Sequence, residues 1–358
     1  MDVCLVGTGG SGGWPRPGCG CASCARARAA GRHRSPARVV VDGVLSLEAA
    51  WPAAAGPPAR AAGYRVEAMP GGWTVTAPDG GRLLAADGSG VPPEPPDGAG
   101  PYDIALLDLL GDPAQLGALR RRGLVGARTV VAVLHADHRV PAEEDLARRG
   151  RYWGVVVPAD GDVLAPGAAS AGPGPGPRRV LVLGGARSGK SRHAELRLAG
   201  EPRVTYLAAD PYLGGSGPAD DPDWAERVAA HRDRRPPWWQ TVESLDAAET
   251  LRAGSGAVLF DGAGTWLAAM MERSGAWDAD GREASRLIAA HADELVEAWR
   301  QTRARVVAVS DEVGASVHPP SRAGRLFRDQ LGWLNQRLAA ESEETVLMVA
   351  GRPLTLLA

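Results

Sequence analysis

Lysine is almost absent from this sequence. All but one of its 40 basic residues are arginine, and the exception is Lys190. Asparagine also occurs once, as Asn335, and phenylalanine twice. A single lysine among so many arginines indicates a position where a compact ammonium group is needed and the broader guanidinium group cannot replace it.

Other absences narrow the class of protein. No run of about 18 apolar residues occurs, so no membrane span is predicted. The start, MDVCLVGTGGSGG, lacks a charged segment followed by a long apolar one, so no signal peptide is predicted. The formal net charge of -2 argues against a nucleic-acid partner. All four cysteines fall within the first 24 residues, a clustering more typical of metal ligands than of a secreted disulfide framework. These features predict a cytoplasmic location.

The chain divides at a stretch of Pro, Gly, Ala and Ser, residues 165–177, which is predicted to be a linker between domains 1–164 and 178–358. In the second domain, short apolar runs such as VLVL, VTYLAA and AVLF alternate with helical patterns. This alternation predicts an α/β fold with a mainly parallel sheet covered on both faces. The first domain shows strand-like pieces, few helical patterns and much Gly and Pro.

The lone lysine lies in a phosphate-binding loop motif. GGARSGKS fits G-x-x-x-x-G-K-[ST] and follows an apolar strand. Such a loop cradles phosphates with backbone N–H groups, and the helix that follows adds a positive dipole end. The alternative is a Gly-rich turn that matches by chance. The predicted nucleotide contacts are Gly184, Gly185, Ala186, Arg187, Ser188, Gly189, Lys190 and Ser191.

A phosphate loop needs an acid near its magnesium ion. The run GAVLFD ends on Asp261, which with Ser191 is predicted to hold Mg²⁺. The alternative is an aspartate that simply ends a strand. Asp311 and Glu312 end another apolar run and are further candidate acids.

Six segments that follow one another along the chain indicate a family. GGARSGKSRHAE, VTYLAA, RVAAHRDRRPPWWQTVE, VLFDGAGTWL, VVAVSDEVG and RAGRLFRDQLGWLNQRLA together resemble the bifunctional adenosylcobinamide kinase/adenosylcobinamide-phosphate guanylyltransferases of cobalamin assembly. The resemblance implies a RecA-like P-loop fold that phosphorylates adenosylcobinamide with ATP or GTP. It then implies transfer of GMP from GTP to that phosphate, with release of pyrophosphate. It further implies a homo-oligomer, of which a trimer is one form, with sites between the subunits.

The resemblance also implies site residues. The guanylyl intermediate would be carried by His231, in the family pattern R-[IV]-x-x-H-x-x-x-R-P; from composition alone, a surface histidine on a basic helix is the alternative. Histidine is nucleophilic when neutral, and its unperturbed pKa near 6.5 leaves much of it neutral at pH 7. The other implied nucleotide contacts are Ala208, Ala209, Arg232, Asp233, Arg234, Arg235 and Glu243.

Some positions depart from the family pattern. Ala209 stands where a threonine is usual, and Asp311 where an asparagine is usual. In the last long helical pattern, Phe327, Leu331, Leu334 and Leu338 form an apolar stripe that predicts a core face. Asn335 lies along its edge; both a place in the site and a role in helix packing are left open.

The N-terminal segment VGTGGSGGWPRPGCGCASCARARAAGRHRSPARVVVDG resembles metallo-β-lactamase-like hydrolases, particularly phosphodiesterase relatives with a CxCxxC insert. The hydrolytic motif H-x-H-x-D-H is absent, so a degenerate α/β domain without hydrolytic activity is expected. Cys19, Cys21 and Cys24 are candidate ligands of a structural zinc ion, with His135 or His138 as the fourth. The alternative is reduced cysteines that bind no metal.

Two other functions remain open at this point. One is a different P-loop kinase of small molecules, which the segment RVAAHRDRRP argues against. The other is a nucleotide-binding regulatory module without catalysis.

Overall fold

The computed structural model describes residues 1–48, 63–89, 100–167, 176–209, 233–315 and 317–356. The chain divides into two compact units, Met1–Gly176 together with Ala199–Pro202, and Pro177–Leu198 together with Arg203–Ala358. Among the helices of the described residues, none combines the length and apolarity needed to cross a membrane.

The first unit contains two sheets. Its elements are β1 (Val3–Gly7), α1 (Ala22–Ala29), β2 (Arg38–Val41), β3 (Leu45–Glu48), β4 (Arg65–Met69), β5 (Gly72–Thr76), β6 (Arg82–Ala86), β7 (Ile104–Leu107), α2 (Ala114–Arg121), β8 (Val130–Val133), α3 (Glu143–Trp153) and β9 (Val163–Leu164). One sheet has the order β3-β2-β1-β9 and is antiparallel. The other has the order β4-β5-β6-β7-β8, with the last three strands parallel.

The two sheets of the first unit share one core. Leu5 and Val39 of the first sheet belong to the same buried cluster as Leu83 and Leu106 of the second. Every residue of β7 is buried, as expected for a central strand that is covered on both faces. The sequence predicted few helices here, and the described part of the unit has three, each short.

The second unit is built around one sheet of seven strands. Its elements are β10 (Arg179–Gly184), α4 (Lys190–Leu198), β11 (Val204–Ala208), β12 (Gln240–Glu243), α5 (Ala247–Ala253), β13 (Ala257–Asp261), α6 (Ala263–Arg273), α7 (Gly281–Gln301), β14 (Arg305–Asp311), α8 (Arg322–Ala340), β15 (Glu344–Val349) and β16 (Arg352–Leu356). The order is β12-β11-β13-β14-β10-β15-β16, and β16 alone among these strands runs antiparallel to its neighbour.

Alternate residues of the strands in the second unit enter two separate cores. Leu181 and Phe260 pack in one core with α6, α7 and α8, and Val182 and Leu259 pack in the other with α4. This period of two follows from the pleat of a strand. The predicted α/β fold with a mainly parallel sheet is therefore confirmed, and helices cover both faces as expected.

The last long helix, α8, presents its predicted apolar stripe to the core. Leu331, Leu334 and Leu338 are fully buried, and Phe327 packs against the same cluster. The helix begins after Ser321, whose hydroxyl accepts a hydrogen bond from the Gly324 N–H at 3.1 Å.

Strand register brings the functional loops to one edge of this sheet. Gly184 at the end of β10 pairs with Asp311 at the end of β14. Ala208 at the end of β11 pairs with Asp261 on one side and with Glu243 on the other. The carboxyl ends of these strands therefore lie together, which is where open α/β sheets bind their ligands.

Candidate functional site

The loop Gly184–Ser191 leaves β10 and enters α4 at Lys190. Gly189 adopts a φ of 93°, which a residue with a side chain rarely does. A Cβ on Gly184 would lie 2.4 Å from the Ser188 Oγ and 3.0 Å from the Met348 carbonyl oxygen, so a side chain there would force the loop to shift. The backbone therefore has the strand–loop–helix form of a phosphate-binding loop.

Lys190 points back across this loop. Its Nζ lies 2.8 Å from the Asp311 Oδ1 and donates to the Gly185 carbonyl oxygen at 3.3 Å. Because β14 is the neighbour of β10, the carboxylate at the end of β14 reaches the ammonium group directly. The sequence had proposed Asp311 only as an acid at a strand end, without a partner.

Ser191 and Asp261 face each other at the start of α4. The Ser191 hydroxyl donates to the Asp261 Oδ1 at 3.3 Å. The other carboxylate oxygen, Oδ2, accepts a hydrogen bond of 2.6 Å from the Tyr206 hydroxyl. A hydroxyl and a carboxylate are hard oxygen ligands, the type that Mg²⁺ prefers, so the donor set fits this ion.

The basic segment is described from Asp233 onward. Asp233 is exposed, and Arg234 makes two hydrogen bonds of 3.1 Å to the Glu195 carboxylate, which raise the pKa of this guanidinium. The Arg235 Cζ lies 3.3 Å from the centroid of the Tyr206 ring, and its Nη1 donates to the Thr241 Oγ1 at 3.2 Å. His231 and Arg232 lie outside the described residues.

A cleft of about 490 Å³ opens beside this segment. Its lining residues are Arg235, Pro236, Pro237, Trp239, Thr241 and Glu243. Glu243, predicted as a nucleotide contact, ends β12 beside Ala208, and Ala209 is buried. The sequence patterns did not mark Tyr206, Trp239 or Thr241 as site residues, although all three lie within the quoted family segments.

The single asparagine of the sequence supports the strand that carries Asp311. Asn335 is buried on α8; its Oδ1 accepts from the Ser310 hydroxyl at 2.6 Å, and its Nδ2 donates to the Asp311 carbonyl oxygen at 3.0 Å. A side chain with both a donor and an acceptor is needed for this pair of contacts. Of the two roles that the sequence left open, these contacts support helix packing against the strand that ends on Asp311, and a place in the site stays a prediction.

In the first unit, three cysteines and one histidine come together. The ligand atoms of Cys19, Cys21, Cys24 and His138 all lie within 4.8 Å of one another. The His138 Nδ1 is 3.4 Å from the Cys19 Sγ and 3.8 Å from the Cys24 Sγ. Of the two histidines considered from the sequence, His138 therefore joins the cysteines, whereas His135 is not a member of the cluster.

Local structure explains how these thiols converge. Cys21 caps α1, and its sulfur accepts a hydrogen bond of 3.5 Å from the Cys24 N–H. This backbone donor lowers the pKa of the Cys21 thiol, while burial raises the pKa of Cys24. A set of three thiols and one imidazole suits tetrahedral Zn²⁺.

Comparison with known proteins concerns the second unit. The family model for cobinamide kinase / cobinamide phosphate guanyltransferase matches residues 180–356. A bifunctional adenosylcobalamin biosynthesis protein, CobU, from Salmonella typhimurium is 37% identical over 182 residues, which are 48% of this chain and 96% of that protein. The corresponding protein of Pseudomonas aeruginosa, CobP, is 38% identical over 184 residues, 50% of this chain and 96% of its own length. The resemblance of the second domain is thereby confirmed, and through residues 180–356 the chain belongs to the cobinamide kinase / cobinamide phosphate guanyltransferase family.

Proposed function

We propose that the second unit phosphorylates adenosylcobinamide and then transfers GMP from GTP to the resulting phosphate, a reaction pair of cobalamin biosynthesis. The observation that carries the proposal is the family match over residues 180–356, joined to a phosphate loop whose lysine and serine meet two acids. ATP or GTP serves as phosphate donor and GTP as guanylyl donor.

In the first reaction, the phosphate loop and Lys190 bind the triphosphate, and Lys190 leaves Asp311 to follow the phosphate being transferred. The substrate hydroxyl oxygen forms a bond to the γ-phosphorus, and the bond from that phosphorus to the bridging oxygen breaks. The nucleoside diphosphate leaves, and the hydroxyl proton is released. Mg²⁺ held by Ser191 and Asp261 would neutralise charge on the phosphate oxygens.

In the second reaction, a ring nitrogen of His231 bonds to the α-phosphorus of GTP, and pyrophosphate leaves. A phosphate oxygen of the corrinoid substrate then bonds to this phosphorus, and the nitrogen–phosphorus bond breaks. The covalent intermediate divides one difficult transfer into two steps. The sequence places Arg232, Arg234 and Arg235 close to His231, where their charges suit a triphosphate.

The experiment is incubation of the purified chain with adenosylcobinamide, GTP and magnesium, followed by mass analysis of the products. We expect adenosylcobinamide phosphate first and adenosylcobinamide-GDP afterwards. Formation of the phosphate without the GDP adduct would favour a small-molecule kinase alone. Nucleotide binding without either product would favour a regulatory module.

Assembly and location belong to the same proposal. Family resemblance supports a homo-oligomer, with a trimer as one arrangement, and the sequence features given above support a cytoplasmic location. Light scattering coupled to size-exclusion chromatography measures the oligomeric state directly.

For the first unit we propose a structural zinc site formed by Cys19, Cys21, Cys24 and His138. Metal analysis should find about one zinc ion per chain. His138→Ala should lower this content and the melting temperature, because one of four ligands is lost. His135→Ala is the matched control and should keep the zinc. Less than about 0.2 zinc per chain in protein never exposed to chelator, or equal zinc loss in both variants, would contradict this assignment.

A further inference from the structure

Tyr206 lies between the Asp261 carboxylate beside the phosphate loop and the Arg235 guanidinium at the cleft. It lies on β11, is 3% exposed, and packs in the core with Val182 and Leu259. Only its hydroxyl end needs a polar partner, and it finds one at the carboxyl edge of the sheet. That partner is the Asp261 Oδ2, at 2.6 Å.

The hydroxyl of Tyr206 acts as a donor. A phenol can donate or accept, whereas a carboxylate oxygen accepts, so the hydrogen bond runs from the Tyr206 O–H to the Asp261 Oδ2. With Oδ2 engaged in this way, the carboxylate turns its Oδ1 toward the Ser191 hydroxyl, 3.3 Å away. A hydrogen bond to one oxygen of a carboxylate fixes the direction of the other oxygen. Residues that hydrogen-bond to metal ligands commonly orient them in this way.

The face of the Tyr206 ring has a separate task. The guanidinium of Arg235 stacks on it, with the Cζ 3.3 Å from the ring centroid, and also donates a hydrogen bond to the Thr241 hydroxyl. Arg235 is part of the wall of the cleft that Glu243 lines from β12. A stacked guanidinium keeps its charge while losing much of its freedom to rotate.

We propose that Tyr206 is a positioning residue for both ends of the nucleotide site, its hydroxyl orienting the Asp261 carboxylate and its ring holding Arg235 at the cleft. A continuous set of contacts then runs from Ser191 through Asp261, Tyr206 and Arg235 to Thr241. The inference rests on the proposed function for the identity of the nucleotide, but not on turnover of a corrinoid.

The two tasks are separable by substitution. Tyr206→Phe keeps the ring and removes the hydroxyl; it should weaken Mn²⁺ binding to the protein loaded with a non-hydrolysable GTP analogue by about 10- to 100-fold, read by electron paramagnetic resonance. Affinity for the analogue at saturating metal should stay near that of the unmodified protein. Tyr206→Leu should show the same metal defect and, in addition, a loss of about fivefold or more in analogue affinity that added metal does not restore.

Tyr102→Phe is the matched control. This buried tyrosine of the first unit also lies under an arginine, with the Arg82 Cζ 4.3 Å from its ring centroid, and its change should leave both affinities unaltered. Unchanged Mn²⁺ affinity in Tyr206→Phe overturns the proposal, even if Tyr206→Leu fails to fold. Since binding alone is measured, absence of corrinoid turnover in the unmodified protein would refute the proposed function and leave this test intact.

Discussion

Replacement of Lys190 by alanine is expected to abolish both the kinase and the guanylyltransferase activity, with losses of at least about a hundredfold in turnover. One phosphate loop is expected to serve both nucleotides, and its ammonium group is the compact charge that follows the phosphate. Asp311, the partner of Lys190, is already partly exposed to water. Its carboxylate therefore stays hydrated when the lysine side chain is removed, and folding should be little affected. Turnover of both reactions, together with the melting temperature, measures the effect.

Lys190→Arg should also be poor, although the charge is kept. The ammonium group fits between the Gly185 carbonyl and the Asp311 carboxylate, 3.3 Å and 2.8 Å away, and a planar fork is wider and less able to follow a moving phosphate. Arg192→Lys is the matched control, since this arginine is exposed on the same helix and should tolerate the reverse exchange. If Lys190→Arg kept near-normal turnover, the explanation of the single lysine would be wrong.

His231→Ala is expected to eliminate covalent labelling by GTP and with it guanylyl transfer. Incubation of the unmodified protein with GTP and magnesium, without corrinoid, should leave GMP attached to His231. The phosphoramidate bond is labile in acid and stable in alkali, unlike an ester of serine or threonine. Acid and alkali treatment followed by peptide mapping therefore identifies both the bond and the residue.

The kinase reaction should survive His231→Ala at least in part, because it needs the phosphate loop, magnesium and a bound hydroxyl but no covalent histidine. His193 is the nearest rival in sequence to the phosphate loop, yet it is buried on α4. His33→Ala, a change at an exposed histidine of the first unit, is the control and should label normally. A labelled peptide containing His193, or undiminished labelling of His231→Ala, would refute the assignment.

Contiguous patterns carried most of what could be predicted. The apolar run before Gly184, the glycines of the loop and the helical pattern after Lys190 are local features, so strand, loop and helix follow from neighbouring residues. The stripe on α8 is equally local, because a period of 3.6 residues marks one face of a helix. No apolar run in the sequence marks strands β12 and β16, because they are short edge strands with several exposed residues.

By itself, the sequence determined the phosphate loop with its single lysine, the alternation of strands and helices, the family, and the three clustered cysteines. Only the tertiary structure decided which distant residues meet. The order of strands sets Asp311 beside Lys190 and Tyr206 against Asp261, the packing of α8 brings Asn335 to Ser310, and the turn after β8 brings His138 rather than His135 to the thiols. These contacts join residues far apart in the chain. They depend on the order of the strands, on helix packing and on the path of a turn, which are decided by contacts between distant residues and not by a local pattern of residue types.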